Sequence, residues 1–316
     1  MKGGAGMRFA FFSLRHDPNG GCRLQVELMN GLVERGHEVV FGLPFYLAER
    51  PFWTPCLAEK VDAMRVPRMG RFDGVFFSHV DSYNPGYPLS GLAGCCDAGH
   101  RFFVLRSFLP GHIAVTQDRS VEKLATSRWL FETASFFGGP VHKVFGGVNA
   151  ERFASDGCAR ARNAVPVVLF KDSMDSVKGS AMVREALEVL RGRGVGFEVL
   201  RLGGLEHEVR EQFARADVFV CGEAAWGLGW SCAVAEAMSA GCAVVCTDTP
   251  AVEHLAEDGV TALLVRPGDA AGMAHALERA VLDAGLRARL AEAGLERVRL
   301  YPVRGMVDRI VELARV

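Results

Sequence analysis

Two glycines, a serine and a cysteine ahead of a short helix-forming run, with a carboxylate one turn further on, are groups that could hold a phosphorylated ligand. In residues 226–269 (WGLGWSCAVAEAMSAGCAVVCTDTPAVEHLAEDGVTALLVRPGD), Gly227 and Gly229 let the backbone come close to a ligand, and Ser231 suits the N-cap of a helix beginning near Cys232. The first-turn amides, at Ser231, Cys232 and Ala233, and the positive end of the helix dipole favour an anion such as a diphosphate. Glu236, about one turn in, could accept hydrogen bonds from vicinal hydroxyls such as those of a ribose. Lys178 supplies a cation: it follows a strand and the polar loop KDSMDSV and stands just before Gly179 at a helix start, so its ammonium could reach the same diphosphate. The plainer reading stays open at this level, with glycines that only turn the chain, a solvent-facing Glu236 and a solvated loop lysine.

These residues need a frame, and the chain alternates strand and helix patterns throughout. Strands are predicted at 7–12, 38–43, 61–66, 74–78, 101–106, 122–126, 141–145, 165–170, 197–203, 216–221, 242–247 and 261–265. Helices fill the gaps, notably 22–35, 128–137, 179–191, 231–240, 251–257, 270–283 and 285–299. Gly241 closes the helix that carries Glu236, and the apolar run CAVVC after it has the form of a parallel strand covered on both faces. Such an order implies parallel sheets with ligands at the carboxyl ends of strands. Residues 149–166, polar and small, read as a linker with a hinge. The last segment, 302–316, repeats apolar residues at Val303, Met306, Ile310, Val311 and Leu313.

Composition bounds the function classes. A chain of 316 residues with 49% hydrophobic content can form two domains, each with a full core. A formal charge of -1 and dispersed basic residues argue against a nucleic-acid partner. No apolar run reaches the ~18 residues of a membrane-spanning helix, and no signal peptide is read. Nine cysteines, an odd number with several in apolar contexts, fit a reducing compartment. Cys95, Cys96 and His100 lack a second ligand pair, so no metal is expected there. A dinucleotide site is excluded by position, because Gly3, Gly4 and Gly6 precede the first strand and only Gly20 and Gly21 follow it.

The segment containing Glu236-Ala237-Met238, Gly241, Val244-Val245, Glu253, Asp258-Gly259, Leu263-Leu264-Val265 and Pro267-Gly268-Asp269 resembles the nucleotide-sugar-binding half of the family-4 glycosyltransferases, retaining enzymes of the GT-B fold. Residues 7–44, Thr126-Ser127-Arg128-Trp129, Phe145 to Phe153, and 166–179 resemble other signposts of that family, while 45–125 match poorly. The resemblance implies an α/β chain with two Rossmann-like domains facing across a cleft: 1–155 on the acceptor side, 156–300 binding the nucleotide sugar, and 301–316 a helix crossing back to the first domain. It also implies that Lys178 neutralises the leaving diphosphate and that neither a metal, a cofactor nor a protein nucleophile is needed. Gly20 and Gly21, just after strand one at a helix start, either bend a loop against the donor phosphates or form an ordinary βα turn.

Three positions depart from the family pattern. Its first glutamate falls on Leu228, or on Trp226 if two residues are inserted, with Glu223 upstream as a stand-in. Its arginine corresponds to Ser173, with Lys171 nearby as replacement. Its histidine corresponds to Arg106 or Ser107, and His79, at the end of GVFFS, takes its place as a catalytic candidate beside Lys178. The expected function is transfer of a hexosyl-type sugar from a nucleotide-sugar donor to a glycan, lipid-linked saccharide or small molecule, with retention. The alternatives are a non-catalytic nucleotide-sugar-binding protein and, third, a nucleotide-sugar epimerase. The expected location is cytoplasmic, free or peripheral at the inner membrane face.

Overall fold

The computed structural model describes residues 6–13, 20–48, 54–77, 92, 94–154, 163–174, 176–224 and 227–316. The chain divides into two compact units, Met1–Gly147 with Val303–Val316, and Val148–Pro302.

The first unit contains β1 (Arg8–Phe12), α1 (Gly20–Glu34), β2 (Glu38–Leu43), α2 (Phe45–Ala48), β3 (Glu59–Asp62), β4 (Phe72–Phe77), β5 (Ala98–Leu105), α3 (Ile113–Gln117), β6 (Glu122–Ala125), α4 (Arg128–Phe136) and β7 (Val141–Lys143). Its strands form one parallel sheet in the order β3-β2-β1-β4-β5-β6-β7. Period-2 alternation of apolar residues builds both faces. Phe9, Phe11, Phe76 and Phe102 pack ring on ring on one face, and Phe12, Phe72, Phe77 and Phe103 enter the core on the other.

The second unit contains α5 (Ala150–Phe153), β8 (Val167–Phe170), α6 (Ser180–Gly192), β9 (Glu198–Arg201), α7 (Glu206–Arg215), β10 (Val218–Cys221), α8 (Cys232–Ser239), β11 (Ala243–Thr247), β12 (Leu263–Val265), α9 (Ala270–Leu282) and α10 (Ala284–Val298). The parallel sheet order is β12-β11-β10-β8-β9. Leu169, Phe219 and Val244 face one core with Phe213 of α7, and Val168, Val218 and Val245 face the other with Leu187 of α6 and Leu277 of α9. Helix α11 (Val303–Leu313) returns to the first unit, where it packs on α1. Gly31 makes room for it, since a Cβ there would meet Val307. Among the described residues no helix is long and apolar enough to cross a membrane.

Three expectations are corrected. The strand predicted at 61–66 ends at Asp62, whose carboxylate caps a 3₁₀ turn over Ala63–Arg68 that includes Pro67; a proline that cannot donate to a ladder suits a turn better than a strand. The helix predicted at 251–257 is a run of turns, with Leu255 N–H donating to Val252 O three residues back. The linker predicted at 149–166 begins as structure: the Asn149 side chain caps α5, and Phe153 sits edge-on to Phe213 at 5.9 Å in the second unit's core. Cys96 and His100 are each engaged elsewhere. The Cys96 thiol, pushed up to about 11 by burial, donates to Leu92 O, while His100 Nδ1 pairs with Glu122 at 2.6 Å.

The turn into β2 carries a proton-sensitive contact. Met7 N–H donates to His37 Nδ1 at 3.1 Å, so that nitrogen must be unprotonated. Burial first, then Arg315 and Arg35, hold the imidazole below its ordinary pKa. A folded pKa below the unfolded one gives stability that is present above about pH 6.5 and lost as pH falls through the folded value. Thermal melts of wild type should therefore fall on acidification from neutrality, and His37→Gln should remove part of that fall.

Candidate functional site

The order β12-β11-β10-β8-β9 places a topological switch in the second unit: from β8 the chain goes to β9 at one edge and then returns to β10 on the other side. Ligands of open α/β sheets bind beyond the carboxyl ends of strands at such a point. The segments that leave β8 and β10 there are 171–179 and 222–231, which contain most of the residues singled out for phosphate binding.

The two segments are fastened together. Ala224 N–H donates to Val177 O at 2.8 Å. Gly179 adopts a left-handed φ of 61°, and a Cβ built on it would lie 1.6 Å from the Gly222 carbonyl oxygen, so only glycine fits. Thr247, at the end of β11, donates its hydroxyl to Glu223 O at 2.7 Å. Within the first segment the Ser180 hydroxyl donates to Lys171 O at 2.9 Å and accepts Ser173 N–H at 3.0 Å. Lys171 and Ser173 thus shape the loop through their main chains.

On this base Lys178 Nζ donates to Glu223 Oε1 at 2.9 Å, with side-chain exposures of 27% and 6%. Burial alone would lower the ammonium's pKa, but the charge and hydrogen bond of Glu223 leave it raised. The second oxygen, Oε2, is buried with no partner among the described residues. Burial drives the Cys221 and Cys246 thiols far above their ordinary range, so both are uncharged. Sequence reasoning placed Glu223 nearby as a stand-in but missed its pairing with Lys178, which no spacing rule could show across 45 residues.

Helix α8 begins at Cys232, directly at the end of the second of these fastened segments. The ladder begins with Ala235 N–H on Ser231 O at 3.1 Å, while Ser231 N–H itself donates to Ala251 O at 2.9 Å and so does not face a ligand; the first-turn amides after it have no intrahelical partner. Ser231 is the N-cap residue, but its side chain makes no capping hydrogen bond. The hydroxyl is buried with no hydrogen-bond partner among the described residues, which corrects the expectation of a side-chain cap. Ala233 is half-buried in the first turn. Glu236 is 4% exposed, which excludes the solvent-facing alternative. Gly227 takes a φ of 113°, whereas Gly229 has no positive φ and Gly241, at 73°, ends the helix.

Gly20 and Gly21 open α1 in the first unit, beyond β1 and at the switch of that sheet between β1 and β4. His79 and Trp226 lie outside the described residues. Among the described residues no group of three His, Cys, Asp or Glu side chains is placed to hold a metal ion.

With that geometry established, comparisons identify similar proteins. Residues 153–283 match the family model described as Glycosyl transferases group 1. A phosphatidyl-myo-inositol mannosyltransferase of Mycolicibacterium smegmatis is 32% identical over 220 residues, 61% of this chain and 55% of that protein. The chain therefore spans about half the length of this curated relative. Among solved structures, sucrose-phosphate synthase from Thermosynechococcus elongatus superposes with a TM-score of 0.76 at 17% identity, covering 98% of both chains. HepE of Anabaena, in complex with UDP and glucose, gives 0.75 at 16% identity over 98% of this chain and 100% of that one. The structural likeness is one of fold.

Proposed function

We propose that this chain, of GT-B fold and matching the group 1 glycosyltransferase model over residues 153–283, moves a sugar from a nucleotide-sugar donor to a glycan, lipid-linked or small-molecule acceptor, with retention and without a metal. The observation that carries the reading is the fastening of the segments after β8 and β10 at the switch point of the second unit's sheet, which holds Lys178 against Glu223 on the segment that leads into α8. Breaking the bond between the anomeric carbon and the distal phosphate oxygen builds negative charge on the leaving diphosphate. Fixed amides and an ammonium held where that charge develops lower the barrier, which is the role a metal would otherwise serve. Glu236 stands one turn behind, where its carboxylate suits a ribose.

A lipid-linked acceptor is consistent with the name of the mycobacterial relative, a phosphatidyl-myo-inositol mannosyltransferase. On this reading the protein acts in the cytoplasm, free or at the inner membrane face. The test incubates the purified chain with UDP- and GDP-sugars, a cell-envelope extract as acceptor, and EDTA. Release of nucleoside diphosphate unaffected by EDTA, with the donor's anomeric configuration kept in the product by NMR, is expected. No binding of any nucleoside diphosphate in calorimetry would overturn the reading; binding without release would reduce it to a nucleotide-sugar-binding protein.

A further inference from the structure

Glu223 is an unexpected neighbour for a phosphate site. A carboxylate next to the cation that must attract a polyanion weakens that attraction, and this one cannot move aside. Its carbonyl is held by Thr247, the adjoining Ala224 amide is held by Val177, and its side chain is buried against Lys178. An ammonium donates three hydrogen bonds. A phosphate oxygen taking one of the others would stand about 4–5 Å from Glu223 Oε1, given ordinary hydrogen-bond lengths.

We propose that Glu223 matches the charge of the phosphate pocket to the nucleotide-sugar donor and against the product, so that it promotes release of the nucleoside diphosphate. The inference rests on the transferase reading above. In transfer, the bond between anomeric carbon and distal phosphate oxygen breaks, a bond to the acceptor hydroxyl oxygen forms, and the acceptor proton is released. The donor diphosphate, esterified at both ends, carries a charge of about −2; the freed nucleoside diphosphate, with a terminal phosphate whose second pKa is about 6, carries about −3 above neutrality. The additional charge arises on the distal phosphate, the one the ammonium faces at the breaking bond. Glu223 thus repels the product more than the donor, in a buried setting where Coulomb terms are weakly screened.

The groups around Lys178 do not confuse the test. Cys221 ends β10, Glu223 lies on the segment after it, Cys232 starts α8 and Cys246 lies on β11, with the charges of Asp248 and Asp258 acting on Cys246. Burial keeps the Cys221 and Cys246 thiols neutral between pH 5.5 and 7.5.

Calorimetry on wild type and Glu223→Gln should use UDP against UDP-glucose and GDP against GDP-mannose. At pH 7.5 the substitution is expected to tighten the diphosphate by about tenfold and the sugar nucleotide by clearly less. Wild type alone gives a second readout: between pH 7.5 and 5.5, as the terminal phosphate takes up a proton, its preference for donor over product should shrink, and Glu223→Gln should flatten that change. An unshifted donor-to-product ratio in the variant, or diphosphate binding that weakens, overturns the proposal. Absence of nucleotide binding to wild type instead overturns the transferase reading on which it stands.

Discussion

Lys178→Ala is expected to weaken nucleoside diphosphate binding by roughly 10- to 150-fold, equivalent to about 1.5–3 kcal/mol for one charged hydrogen bond, and to slow turnover by on the order of 10²–10³. The larger effect on turnover follows because the ammonium acts most strongly on charge that develops only as the sugar–phosphate bond breaks. Alanine also strands Glu223, whose side chain is 6% exposed and whose Oε2 already lacks a partner among the described residues. The variant should therefore lose about 1–3 kcal/mol of stability as well, less than for a fully buried pair because Lys178 itself is 27% exposed. The double variant Lys178→Ala/Glu223→Gln separates the two effects: it removes the stranded charge and should recover stability while leaving turnover low. Calorimetry, single-turnover release of nucleotide and thermal melts measure the three quantities. Diphosphate affinity within twofold of wild type in Lys178→Ala would remove this residue from the phosphate site.

The frame of the site was legible because it depends on local rules. The run CAVVC reads as a covered strand, and strands are expected at 165–170 and 216–221; these are β11, β8 and β10, fully or almost fully buried. Gly241 reads as a helix stop and has the left-handed φ that a stop requires. Lys178 ahead of Gly179 marks the start of α6, and Gly179 is the residue that caps it. What sequence reasoning missed depends on which strands are neighbours. Lys178 meets Glu223 because β8 lies beside β10, an adjacency created by the return from β9 across the sheet. Ser231 occupies the capping position its type suggests, yet its hydroxyl is buried and caps nothing, a burial set by the assembled fold and not by residue type. The missed turns at 251–257 are a different case: apolar Val252 and Leu255 are buried in the core with helix-like spacing, but successive three-residue hydrogen bonds hold them.

Gly179→Ala should be the more damaging substitution to the architecture, with an expected loss of about 3–5 kcal/mol and no measurable turnover. Two costs combine. The left-handed φ of 61° costs an alanine about 1 kcal/mol. The added Cβ would also lie 1.6 Å from the Gly222 carbonyl oxygen, and both partners are main chain, so no rotamer change relieves the overlap. The segments after β8 and β10 must then separate, which breaks the Ala224–Val177 hydrogen bond and the Lys178–Glu223 pair together. Gly194→Ala isolates the first cost, because Gly194 has a φ of 75° and nothing within 4 Å of its would-be Cβ. Denaturant melts of the two variants should differ by at least about 2 kcal/mol, with nucleotide binding kept in Gly194→Ala and lost in Gly179→Ala. Equal costs would mean that the segments do not approach each other so closely, and that Lys178 reaches the phosphates without the support Gly222 gives it.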